Sequence, residues 1–99
     1  MLLGIYGSGG LGREVAELAK QINAISNRWE NIIFIDDHKI ETSKNGIKLV
    51  TFSETIDKYS KNEIEISIAI GEPEVRKILY EKVTSEGYCL ATLIHPQVY

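Results

Sequence analysis

One cysteine in 99 residues leaves no internal disulfide to staple the chain. That residue, Cys89, lies between Tyr88 and Leu90, and such surroundings predict a thiol buried in the core rather than a nucleophile. Long apolar runs are also missing: none approaches the roughly 20 residues that cross a bilayer. Met1 leads straight into a strand pattern with neither a basic n-region nor a small-residue cleavage site, so a cytoplasmic location is expected. No excess of positive charge is present. The formal net charge is -3 with both signs mixed along the chain, which supplies neither a basic patch for nucleic acid nor a cationic helix for a membrane surface. Neither His38 nor His95 stands at a metal-ligand spacing from Asp, Glu or Cys, so no metal site is expected. Nucleophilic catalysis lacks a constellation as well: Ser8 has no neighbouring histidine, and its hydroxyl is expected to bond a phosphate or its own turn.

What is present begins at the N-terminus. Leu2-Leu3-Gly4-Ile5-Tyr6 reads as an apolar strand, followed at once by Gly7-Ser8-Gly9-Gly10-Leu11-Gly12, a G-x-G-x-x-G pattern opening a helix. Gly7 permits a tight turn out of the strand, Gly9 lets backbone approach a phosphate, and Gly12 allows close packing of helix on strand. The helix N-terminus adds unpaired N–H groups and about half a positive charge, so a pyrophosphate fits there.

Leu11, Val15, Leu18, Ala19 and Ile22 recur every three or four residues and predict a helix ending near Asn23. Asn31 to Asp36 reads as the second strand, its Ile32 to Ile35 continuously apolar without alternation, as in a parallel strand covered on both faces. Trp29, just before it, is expected to pack or to meet a partner. Asp37 to Gly46 is polar and turn-rich, Ile47 to Val50 reads as a short edge strand, and Ser53 to Tyr59 as a brief helix capped by Ser53. Glu63 to Ile70 is a further strand, ended by Gly71. Pro73 starts a helix whose apolar face is Val75, Ile78, Leu79 and Val83, with Gly87 at its C-terminal cap; Tyr88 to Ile94 is the last strand. Strands alternating with helices predict a single small Rossmann-like α/β domain over residues 1–99, a parallel sheet with helices on both faces.

Ligands of such sheets lie at the carboxyl ends of strands. Asp36 falls there, 24 positions beyond Gly12, near the offset at which a carboxylate meets a ribose hydroxyl; its alternative role is to cap a turn. Asp37 either shares that contact or is solvated. Arg13 and Arg76 stand within a guanidinium's reach of a phosphate or remain exposed.

Taken in order, Gly7-x-Gly9-Gly10-x-Gly12-Arg13-Glu14-Val15, Phe34-Ile35-Asp36-Asp37, Ala69-Ile70-Gly71 with Arg76 and Leu79, and Leu93-Ile94-His95-Pro96 resemble one family over essentially the whole chain. It is the PglD-type N-terminal domain of bacterial sugar acetyltransferases, which include sialic acid O-acetyltransferases and the UDP-4-amino-sugar N-acetyltransferase of bacillosamine biosynthesis. The resemblance implies a domain that holds a nucleotide sugar. A left-handed β-helix of hexapeptide repeats, which in the family follows it, forms the trimer, binds acetyl-CoA and carries the catalytic histidine. On that resemblance the glycine loop from Gly7 to Gly12 would cradle the diphosphate, Asp36 and Asp37 would face the uridine, Gly71 would give clearance near the nucleotide, and Arg76 would be mainly structural or peripheral. Leu11 departs from relatives that carry a polar or aromatic residue, leaving only backbone contacts there. His95 would not be the catalytic histidine, and the sequence stops where the β-helix would begin. The expectation is a UDP-sugar-binding domain, binding no cofactor itself and not catalytic alone; the alternatives are an NAD-binding domain of an oxidoreductase and a regulatory or interaction domain.

Overall fold

A computed structural model describes residues 1–93 of the chain. Its elements are β1 (Leu2–Tyr6), α1 (Gly10–Ser26), β2 (Ile32–Ile35), β3 (Ser43–Lys44), β4 (Ile47–Val50), α2 (Phe52–Lys58), β5 (Ile64–Ile68), α3 (Pro73–Ser85) and β6 (Cys89–Leu90). The sheet order is β3-β4-β2-β1-β5-β6, and every pairing is parallel except β3 with β4. The Rossmann-like expectation therefore holds. β1 is central, with the chain moving outward through β2 and β4 before crossing back to β5 and β6.

Side-chain alternation along the strands divides the interior into two layers. Leu3, Ile5, Phe34, Ile47 and Leu49 pack against Ala16, Ala19 and Ile22 of α1 on one face. Tyr6, Ile33, Ile35, Val50, Ile64 and Ile66 pack against Phe52 of α2 and Val83 of α3 on the other. Both faces of β1 and β2 are covered, which is why their sequences show no polar alternation.

Several expectations shift in detail. α1 runs to Ser26, because Asn27 takes the left-handed conformation (φ 49°) and donates its N–H to Asn23 O at 2.9 Å. Ile47–Val50 is not at the edge: β3 pairs outside it through an Asn45-Gly46 turn, with φ of 53° and 77°. The cap of α2 is Thr51 rather than Ser53. Its hydroxyl accepts the Glu54 N–H at 3.1 Å while Glu54 Oε1 accepts the Thr51 N–H at 2.9 Å. On α3, Val83 is buried and Leu79 is partly buried, but Ile78 is 62% exposed. Residues 75, 79 and 83 form a narrow stripe that leaves 78 on its flank. Trp29 packs in the core, its indole N–H donating to Glu65 Oε1 at 2.6 Å.

Cys89 is exposed, contrary to the expected core position. β6 is a two-residue edge strand, and it is Tyr88 that turns inward, at 6% exposure, where its hydroxyl donates to Tyr59 O. Ile94, His95 and Pro96, the end of the expected last strand and of the fourth motif, lie outside the described residues. Among the described residues no helix is long and apolar enough to cross a membrane.

Candidate functional site

The turn from β1 into α1 brings backbone segments too close together for most side chains. Gly7 has φ +120°, and a Cβ there would lie 2.6 Å from Ala69 O; at Gly12 a Cβ would lie 2.0 Å from Gly7 O. These two glycines let the loop fold against β5 and let α1 approach the loop. Gly9 differs, since a Cβ there would meet nothing within 4 Å. As N-cap of α1 it offers no side-chain hydrogen bond to the first helical N–H groups, which therefore remain available. Gly10 and Gly71 likewise have open space around them.

Ser8 is buried at 7% exposure, and its hydroxyl donates to Asp36 Oδ2 at 2.6 Å, neither to its own turn nor to solvent. Asp36 Oδ1 accepts the His38 N–H at 2.9 Å, so this carboxylate joins the end of β2 to the glycine loop and also caps a turn. Both sequence-level roles for Asp36 are thus compatible.

Asp37 is turned toward the protein. Its Oδ1 accepts the Phe52 N–H at 2.9 Å, at the start of α2, and its Oδ2 accepts the Tyr6 hydroxyl and Lys82 Nζ, the latter at 2.9 Å. Lys82 Nζ also lies 3.1 Å from the Tyr6 hydroxyl and 5.2 Å from the Phe52 ring centre. Burial works against ionisation of Asp37, but the Tyr6 hydroxyl, the Phe52 N–H and the Lys82 ammonium outweigh it and hold the carboxyl below its usual range. Burial, followed by the adjoining Asp37 carboxylate, pushes the Tyr6 phenol well above its ordinary value. Asp37 nonetheless stays exposed in part and lines the cleft described below, so these bonds add a structural role to the two weighed from sequence. Asp37 acts first as a structural junction.

Between these groups opens a cleft of ≈ 220 Å³. The glycine loop (Gly7, Ser8, Gly9) forms one wall, Asp36, Asp37 and His38 the end of β2, and Ile70, Val75 and Leu79 an apolar wall opposite. These are the carboxyl ends of β1, β2 and β5, where the topology leads one to look. Gly10, Leu11, Gly12, Gly71 and Arg76 do not line it; Leu11 and Arg76 are exposed and Gly12 packs behind the loop. Sequence reasoning missed the apolar wall, although the i, i+4 spacing of Val75 and Leu79 on α3 is its signal. It missed Lys82 as well, a surface-patterned lysine that only the fold carries to Asp37. Among the described residues no group of three His, Cys, Asp or Glu side chains is gathered to hold a metal.

A sequence model of the PglD N-terminal domain matches residues 3–83. Among solved structures, the chain is similar to the acetyltransferase domain of PglB from Neisseria gonorrhoeae FA1090, with 31% identity, a TM-score of 0.82, and coverage of 96% of this chain and 44% of that one. The same domain in complex with acetyl coenzyme A matches at 30% identity and a TM-score of 0.81, again over 96% and 44%. WeeI from Acinetobacter baumannii AYE matches at 26% identity and a TM-score of 0.80, over 97% of this chain and 45% of that one. The chain thus spans less than half the length of each of these proteins. Sheet order, glycine loop and family match agree: the chain belongs to the PglD N-terminal domain family, the N-terminal domain of PglD-like acetyltransferases.

Proposed function

We propose that the cleft binds the nucleoside diphosphate portion of a UDP-sugar, the acetyl acceptor of a PglD-like acetyltransferase. The observation that carries this reading is the union, in one cleft, of a glycine loop at an uncapped helix N-terminus with the polar end of β2 and an apolar wall. A diphosphate matches the first: Gly9 leaves room for an anion, and the free N–H groups of α1 supply donors. A pyrimidine base matches the other two. Its faces suit Ile70, Val75 and Leu79, and its N–H edge or the ribose hydroxyls suit the spare lone pairs of Asp36. At ≈ 220 Å³ the cleft falls below the roughly 300–1,000 Å³ that encloses a drug-sized ligand, so the sugar would project outside it.

In the whole protein the sugar's amine or hydroxyl would attack the thioester carbonyl of acetyl coenzyme A. The carbon–sulfur bond breaks, the acetyl group moves to nitrogen or oxygen, and coenzyme A leaves as its thiol, with a general base taking the acceptor's proton. The residues described here are assigned to holding the acceptor; the donor and the base belong to the remainder of such a protein, in which a homotrimer is also proposed. Calorimetric titration with UDP, UDP-N-acetylhexosamine and NAD tests the reading. Binding of both uridine compounds and not NAD is expected. Preference for NAD would overturn it in favour of a dinucleotide domain, and binding of none would point to a domain without a nucleotide ligand.

A further inference from the structure

The polar stretch before β4 contains a cation that the glycine motif itself lacks. Asn45 and Gly46, both at positive φ, make a two-residue turn that pairs Lys44 directly with Ile47. Cross-strand partners point to the same face of a sheet, and Ile47 packs on the α1 face, so the Lys44 side chain leaves β3 on that face too. From there the long side chain reaches the loop, where its ammonium donates to Ser8 O at 2.6 Å. That bond uses one of three donors, and among the described residues Lys44 forms no ion pair.

Charge makes the position matter. Lys82 neutralises Asp37, but Asp36 has only neutral donors, Ser8 and the His38 N–H. Its full negative charge opposes an anion and offsets the half positive charge of the helix terminus, so a full cation at the loop favours a diphosphate there. Lys44 supplies one: it is not itself in the cleft lining, but its ammonium sits on the carbonyl of Ser8, which is. At hydrogen-bond range its contribution escapes screening by physiological salt, whose Debye length is about 8 Å.

We propose that Lys44 is the cation that binds the diphosphate at the glycine loop, an inference that rests on the nucleotide-sugar reading above. Its two remaining donors meet phosphate oxygens while the third holds the loop carbonyl. Calorimetric titration of uridine, UMP and UDP against the native chain, Lys44→Met and Lys44→Arg tests this. Expected is a fall of about tenfold in UDP affinity for Lys44→Met, with uridine affinity unchanged and with Lys44→Arg keeping most of the UDP affinity. Equal losses for uridine and UDP would overturn it, making Lys44 a clamp on Ser8 alone, and so would an unchanged UDP affinity. If the native chain binds UDP no better than uridine, the diphosphate role is overturned while the nucleoside site stands. Binding of neither overturns the nucleotide-sugar reading, and the role of Lys44 falls with it.

Discussion

Three glycines in one loop perform separate tasks, and substitution separates them. At Gly12 an added Cβ meets Gly7 O at 2.0 Å, backbone against backbone with no flexible side chain to yield. Gly12→Ala is therefore expected to cost about 2 kcal/mol or more, read as a lowered midpoint in denaturant. Gly9→Ala meets no neighbour, so its stability should stay within about 1 kcal/mol of the native chain while UDP affinity drops. An equal stability loss at both positions would contradict this division. The glycines and Asp36 were legible because their spacing follows backbone geometry. The commitment of Asp37 to Tyr6, Lys82 and Phe52 was not, since its partners are 31, 45 and 15 positions away and only the tertiary fold gathers them.

That cluster also sets a pH dependence. The folded-state carboxyl of Asp37 titrates below its ordinary value of 3.8, so its contribution to stability is complete above that pH and is lost as pH falls through the lower folded-state value. Asp37→Asn should lower stability at neutral pH and flatten its decline below about pH 4. Tyr6 is shifted the other way. Its contribution is complete below its ordinary value of 10.0 and is lost as pH rises beyond it, a loss that Tyr6→Phe should remove. Thermal melts across pH, with native and variant chains side by side, measure both; parallel profiles would contradict the cluster's role.

At the scale of elements, caps decide where the short pieces begin. Thr51 and Glu54 form a reciprocal capping box for the seven-residue α2, and Thr51→Ala is expected to destabilise the chain by about 1 kcal/mol in denaturant titration. No change would mean that packing of Phe52 alone holds the helix. Thr51 heads a T-x-x-E pattern whereas Ser53 has Ile56 three residues on, so the signal favouring Thr51 over Ser53 was present in the sequence. The β3–β4 hairpin escaped for a different reason: β3, Ser43–Lys44, has only two residues, both polar, so the Asn-Gly turn has an apolar strand on one side alone. Consequently Lys44 was not legible as a site residue. The long elements were, because an unbroken apolar strand or a repeating helical stripe spans enough residues to leave one interpretation.

For the whole molecule, alternation of strands and helices fixed the class, and the central place of β1 follows from pairing on both its edges, with β2 and with β5. That arrangement opens the cleft where the chain leaves β1, β2 and β5, with the glycine loop on one side and α3 on the other. The solved relatives are more than twice as long as this chain, which fits a domain assigned to holding an acceptor for chemistry completed elsewhere. The most direct test of that assignment is an amide-resolved NMR titration of the labelled chain with UDP. The account requires saturable shifts concentrated at Gly7, Ser8, Gly9, His38 and Ile70, with little change at Gly46 or Gly87, which lie outside the cleft. Shifts scattered over the surface, or none at ligand concentrations of several millimolar, would contradict it.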